Sequence, residues 1–253
     1  MIQWSFTGQT AIITGATSGF GLALAEALLE AGAYVYGCGL DDDKLSEARQ
    51  QLASKYGADK VDLAAVDISD LGQLRPWLQS VWERQRRIDI LVNVAGICAT
   101  VPTPEVDEAL WDRIMDVNVK GTFFACQYVA ETMKERGYGR IVNISSLSGY
   151  NGGTLVSPPY GASKAGVVAL TKSFASGYSR YGIAVNAVAP GPSKTDMIAS
   201  FPADGLAGMI ARTPDGRLGE AADIVQTILF LCDESTQHIT GAVVDVNGGF
   251  YLR

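Results

Sequence analysis

Tyr160 and Lys164 stand four residues apart in Tyr160-Gly161-Ala162-Ser163-Lys164, a spacing that puts a phenol and an ammonium on one helix face. A phenol titrates near ~10 and a lysine near ~10.4, and a cation held close lowers the phenol toward working pH. Tyr160 can then exchange a proton with a substrate oxygen. Upstream, the apolar run 141–144 ends in Ser145 and Ser146, where a serine hydroxyl can hold the same oxygen. Acid/base, tuner and positioner form one constellation. Tyrosine four residues before lysine also arises by chance in many helices, so the weight falls on the elements that must position the pair.

The run 10–14 is short and apolar and is halted by Gly15-Ala16-Thr17-Ser18-Gly19-Phe20-Gly21, after which 22–31 carries a helix pattern closed by Gly32. Glycines between a strand and a helix let the backbone approach a pyrophosphate, which the N–H groups of the helix start then hold. A mere turn would not require that flanking context. Further apolar runs at 34–38, 61–66, 88–92, 141–144, 183–188 and 242–246 alternate with helix patterns at 43–56, 71–86, 111–136, about 159–180 and 220–232. A short helical lid is expected at about 197–211. Strands this apolar are buried on both faces. The predicted fold is therefore α/β, a doubly wound, seven-stranded parallel sheet flanked by helices, the Rossmann architecture, in one domain spanning 1–253. Ligands in such sheets sit beyond the carboxyl ends of the strands, and Gly15, Asp67, Asn93, Ser146 and Pro190 each follow a predicted strand.

Composition narrows the partners. A net charge of −7 without a Lys/Arg cluster argues against a nucleic-acid or anionic-membrane surface and for small molecules. Cys38, Cys98, Cys126 and Cys232 lack metal-ligand or paired spacing and read as reduced thiols. With no secretory leader pattern and no run of 18 apolar residues, the expectation is a cytoplasmic protein without a metal. His238 reads as structural, Cys98 as a packed thiol near the substrate, and Trp77, Trp82 and Trp111 as core or helix-packing residues.

On these motifs the chain resembles the short-chain dehydrogenase/reductase family over nearly its whole length. Thr14-Gly15-Ala16-Thr17-Ser18-Gly19-Phe20-Gly21 is similar to the family's T-G-x-x-x-G-x-G, Asn93-Val94-Ala95-Gly96 to N-N-A-G with a valine substituted, and Asn118 to its helix asparagine. The resemblance implies a catalytic tetrad of Asn118, Ser146, Tyr160 and Lys164, with Asn118 bending its helix and holding a water toward the lysine. Ser145 and Ser148 are alternatives to Ser146, because the fourteen-residue step from Ser146 to Tyr160 is one longer than the family's and puts an insertion into 147–159. Cofactor contacts are implied for Gly15, Thr17, Ser18, Gly19, Phe20 and Gly21, for Leu40 and Asp41, and for Asp67 and Ile68. They are implied too for Asn93, Ala95, Gly96, Tyr160 and Lys164, and for Pro190, Gly191, Ser193 and Thr195.

Relatives that select NAD usually carry an acidic residue where Gly39 stands here, and those that select NADP carry an arginine one residue later, where this chain has Leu40. Asp41-Asp42-Asp43 would repel a 2′-phosphate, with Asp41 reaching the ribose, although the same run is also a favourable acidic helix start. The lean is to NAD, with NADP left open. The implied reaction is hydride transfer between a nicotinamide and a secondary alcohol or ketone. The substrate pocket falls to the loop 147–159, a lid at about 192–216 and the C-terminus. Ser148, Tyr150, Asn151 and Thr154 offer polar contacts there, and Met197, Ile198, Phe201, Met209 and Ile210 an apolar wall, while Phe250 to Arg253 close the chain. A small polyol or sugar-derived alcohol fits, as does a 3-oxoacyl thioester, whose carrier protein docks in relatives on basic residues near the two long helices. Lys134, Arg136, Lys172 and Arg180 are the candidates for that docking. A non-catalytic dinucleotide sensor is the reading from another class. Pairing of the long helices 111–136 and 159–180 between subunits, as in relatives, implies a homotetramer or homodimer.

Overall fold

The computed structural model describes residues 3–153, 155–195 and 203–252. Seven parallel strands, β1 (Thr10–Thr14), β2 (Tyr34–Gly39), β3 (Val61–Ala65), β4 (Ile90–Asn93), β5 (Gly139–Ile144), β6 (Ile183–Pro190) and β7 (Val243–Val246), form one sheet in the order β3-β2-β1-β4-β5-β6-β7. Helices α1 (Gly19–Glu30), α2 (Asp42–Tyr56) and α9 (Ala221–Cys232) contribute to the core on one face. Helices α3 (Leu71–Gln85), α5 (Thr122–Arg136) and α7 (Pro158–Tyr178) contribute to the core on the other. Consecutive strand residues feed opposite cores: Ile13 and Val92 face the first, Ile12 and Leu91 the second. That is why the strands read as largely apolar runs; each fully buried Leu or Ile is worth about 1.5–3 kcal/mol.

The chain reverses its strand order between β1 and β4, where register pairs Thr14 with Asn93 and Asn93 with Asn143. The strands therefore end level, and the loops that follow them open at one edge of the sheet, the switch point at which such folds bind ligands. The helical region expected at 111–136 is split. An α-helix α4 (Glu108–Met115) runs into a π-helical segment, Asp116–Gly121, before α5 begins. The extra residue per turn lets Asn118 bond sideways to the loop after β4, and Gly121 admits the close approach of Ile68, whose Cδ1 would lie 2.9 Å from a Cβ there. Within the loop 147–159 a short helix α6 (Ser148–Asn151) forms. The lid is helical from Ala203 to Arg212 (α8). Its earlier part, with the Met197, Ile198 and Phe201 of the expected wall, lies outside the described residues, as do Thr154 and Arg253. Trp77 is buried and Trp82 packs on its core, but Trp111 is an exposed residue of α4 rather than a core one. No helix among the described residues is long and apolar enough to cross a membrane.

Candidate active site

The glycine loop is built by contact rather than by composition. Gly15 has φ +72°, and a Cβ on Gly21 would lie 1.9 Å from the Gly15 carbonyl oxygen, so the first turn of α1 presses directly on the loop. Helix α1 begins without a side-chain cap or an acidic residue in its first turn, which leaves its N–H groups for an anion. Across from it stands Thr195, whose methyl group would sit 3.8 Å from a Cβ on Gly19. These residues open on a cavity of about 680 Å³ that runs past Leu40, Asp41, Asp67, Ile68, Ala95 and Gly96 to Ser146, Tyr160 and Lys164, with Pro190, Gly191 and Ser193 along one side. Thr17, Ser18 and Phe20 line it too. The size suits a dinucleotide with a small substrate, and the glycine backbone and uncapped helix start fit its pyrophosphate.

Two of the expected cofactor contacts, Gly21 and Asn93, and one expected tetrad member, Asn118, do not line the cavity. Gly21 is spent on the loop contact. Asn93 is buried at the end of β4 and donates from Nδ2 to Asn143 Oδ1 at 2.8 Å across the β4–β5 ladder. Asn118 is buried as well: its Oδ1 accepts from Ile97 N at 2.8 Å, and its Nδ2 donates to Ile97 O and Ser163 Oγ, each at 2.9 Å. Its carbonyl accepts from Thr122 Oγ1 at 2.9 Å. Asn118 thus clamps the loop after β4 to α7, a positioning residue behind the site. Ser145 turns its hydroxyl to the Lys164 carbonyl at 2.9 Å, away from the role weighed for it, whereas Ser146 accepts from Ser148 N at 3.1 Å and lines the cavity with Tyr160.

The electrostatics at the centre depart from the expected tuning. Lys164 Nζ donates to the Ile144 carbonyl at 2.8 Å and lies 5.8 Å from the centre of the Tyr160 ring. Burial, and then the nearby Cys98 thiol, push the phenol well above its ordinary value, with the Ser146 hydroxyl opposing. Burial lowers Lys164 to about 8, the Cys98 thiol working in the opposite sense. Each group is driven toward its neutral form chiefly by desolvation. The Tyr160 phenol therefore keeps its proton at neutral pH. Cys98 lines the cavity as a thiol raised by burial to about 11, which agrees with a packed rather than a reactive group.

At the far end, Asp41 caps α2 by accepting from Lys44 N at 3.0 Å and also lines the cavity. Lys44 lines the same end with the opposite charge. Asp67 is committed elsewhere: Ser69 donates to its Oδ1 from N at 2.9 Å and Oγ at 2.6 Å, and Arg113 approaches its Oδ2 at 3.8 Å. Burial works against its charge, yet these partners, with Lys120 beyond, hold the carboxyl below its usual range. The lining residues Lys44 and Arg113 escaped the reading of the motifs, because only tertiary packing brings their segments to the sheet edge, whereas Arg212 and Phe250 come from the lid and the C-terminus expected to build the pocket. His238 lies in an exposed turn and does not line the cavity.

A model of the short-chain dehydrogenase/reductase family, described as Enoyl-(Acyl carrier protein) reductase, matches residues 15–251. The chain belongs to the short-chain dehydrogenase/reductase family. It is 36% identical to the 3-oxoacyl-(acyl-carrier-protein) reductase of Haemophilus influenzae, over 97% of this chain and 99% of that one. It is equally 36% identical to the 2-dehydro-3-deoxy-D-gluconate 5-dehydrogenase of Bacillus subtilis, over 99% and 97%. The crystal structure of levodione reductase superposes with a TM-score of 0.91 at 32% identity, covering 96% of this chain and 98% of that one. This short-chain dehydrogenase/reductase is an NAD(P)-dependent oxidoreductase acting on CH–OH groups. The relatives' names span a thioester, a sugar acid and a diketone, so family membership leaves the substrate to the cavity.

Proposed function

We propose that this single-domain protein interconverts a secondary alcohol and a ketone, with Tyr160 as the acid/base. The observation that carries the reading is the gathering of Ser146, Tyr160 and Lys164 in the same cavity as the glycine loop. Bound nicotinamide supplies or accepts the hydride at carbon. Ser146 holds the substrate oxygen, and in the reducing direction the protonated phenol of Tyr160 gives that oxygen its proton. Lys164, fixed by the Ile144 carbonyl, orients the cofactor ribose, and Asn118 keeps the loop and α7 in register around it. Gly15, Thr17 to Phe20, Asp67, Ile68, Ala95 and Gly96 would hold the dinucleotide, and Pro190, Gly191, Ser193 and Thr195 would hold its nicotinamide end.

NAD is the favoured cofactor, because Asp41 presents a carboxylate beside exposed Leu40, where a 2′-phosphate would have to sit. Lys44 at the same end is the reason to test NADP alongside it. The substrate is a small polyol or sugar-derived alcohol. A 3-oxoacyl thioester is the second reading, favoured by the Haemophilus influenzae relative. Against it, Lys134 is paired with Glu131 at 3.5 Å and Arg136 with Asp89 at 3.6 Å, which weakens the basic face a carrier protein would need. Three of the four free thiols are buried, in keeping with a cytoplasmic setting. The test is absorbance at the reduced-nicotinamide band across a panel of ketones and alcohols with each cofactor. Turnover of at least one pair is expected; cofactor binding without any turnover would favour the sensor.

A further inference from the structure

The charges around the cavity are unevenly distributed. Its lining carboxylates, Asp41 and Asp67, both lie at the end away from Tyr160, where Lys44 and Arg113 also stand. Around the substrate end the described lining is Ser146, Ser148, Asn151, apolar side chains, and the cations Lys164 and Arg212. Lys164 is buried against the Ile144 carbonyl. Arg212 makes no ion pair among the described residues, and its guanidinium lies 4.9 Å from the centre of the Phe250 ring. We propose that Arg212 anchors a carboxylate of the substrate, so that within the polyol and sugar-derived class the enzyme favours the hydroxy and oxo acids over their neutral counterparts.

The mounting of Arg212 supports this. It occupies the last turn of α8, which Thr213 closes by donating from N and Oγ1 to Met209 O at 3.1 and 2.8 Å. The segment that follows is tied to the C-terminal turn by Asp215 N donating to Gly248 O at 3.2 Å, and that turn carries Phe250. The other end of α8 meets the loop after β5, since a Cβ on Gly205 would lie 3.2 Å from Leu155 Cδ1. A planar cation stacked on a ring and held at the mouth of a cavity is preorganised for bidentate carboxylate recognition. A cation in the last turn also suits the helix dipole, but that role does not require it to line the cavity.

The inference rests on the ketone-reducing reading, in which oxo acid, NAD(P)H and a proton give hydroxy acid and NAD(P)⁺. The hydride goes to the carbonyl carbon and the Tyr160 proton to its oxygen. Kinetics compare 4-oxopentanoate and 5-oxohexanoate, each against its methyl ester, in wild type, Arg212→Met and Arg212→Lys. Wild type should favour the acids in kcat/KM by about tenfold or more, Arg212→Met should collapse that ratio toward one, and Arg212→Lys should restore part of it. A binding arm without turnover measures the thermal shift given by D-gluconate against the neutral D-glucitol, where only gluconate should stabilise and only while Arg212 is present. Turnover with no acid preference, or a preference that survives Arg212→Met, overturns the proposal while leaving the oxidoreductase reading intact. Faster reduction of the uncharged acetoacetyl N-acetylcysteamine thioester than of either acid overturns it in favour of thioesters. No turnover, with gluconate binding that depends on Arg212, keeps the anion site and removes the ketone-reducing reading; no gluconate binding in that case removes both.

Discussion

Lys164 Nζ donates to the Ile144 carbonyl at 2.8 Å, so the end of β5 holds the buried ammonium one turn beyond Tyr160. Burial lowers this lysine to about 8, and the sign of the linkage follows. Below that pH both folded and unfolded chains hold the proton, and the cost of the buried charge is fully present. Between about 8 and the unfolded value near ~10.4 only the unfolded chain stays protonated, so stability rises with pH. Lys164→Met removes the titration, leaving a constant offset for the lost hydrogen bond. Wild type should therefore gain on the variant by on the order of 3 kcal/mol between pH 7 and 10, checked by denaturant unfolding at several pH values. Parallel stability curves would place the ammonium in water.

Gly21→Ala should damage the glycine loop, since its Cβ would fall 1.9 Å from the Gly15 carbonyl oxygen. Overpacking of this kind costs about 1–3 kcal/mol, and displacement of the loop should weaken dinucleotide binding at least about tenfold. Thermal unfolding and a fluorescence titration with reduced cofactor check both effects. An unshifted Kd would mean that the loop does not carry the pyrophosphate.

Asp41 serves α2 and the cavity together, so the choice of replacement matters. Serine preserves the cap that Asp41 gives to Lys44 N, while removing the charge. Leu40→Arg with Asp41→Ser should shift the ratio of kcat/KM for NADH over NADPH toward NADPH by about tenfold or more at fixed ionic strength. At an effective dielectric of ~20 each unit-charge pair at ~4 Å is worth about 4 kcal/mol before screening, so a surviving third suffices. A wild type that already prefers NADPH would assign the pocket's cofactor choice to Lys44 instead.

Arg75, Trp82, Phe124, Tyr128 and Tyr178 line a second, shallow cavity across α3, α5 and α7. Association through the long helices should produce a closed homotetramer or homodimer. Light scattering at micromolar concentration should report a multiple of the 26.8 kDa chain, and a monomer mass would contradict the pairing of these helices.

Much of this architecture was legible because local pattern and tertiary role coincide. Strands covered on both faces had to be largely apolar, and Gly15 to Gly21, Ser146, Tyr160 and Lys164 are close in sequence to the elements that aim them. The remainder depends on neighbours distant in sequence. Asn93 faces Asn143 because β4 lies beside β5, and Asn118 bonds Ile97 because a π-helical segment rotates it toward that loop. Desolvation of Tyr160 and Lys164 is a property of the assembled core, so spacing alone suggested attraction where burial dominates. Arg212 and Phe250 meet only because the C-terminal turn folds back onto the segment after α8.

The central claim is that Tyr160 moves the proton, and Tyr160→Phe tests it by deleting the hydroxyl while keeping the ring. Steady-state reduction of a ketone substrate and titration with reduced cofactor are measured on the same purified variant. The predicted result is a kcat lower by about 10²–10⁴-fold with cofactor Kd within a few-fold of wild type. A rate within about threefold of wild type would contradict the assignment of Tyr160 as the acid.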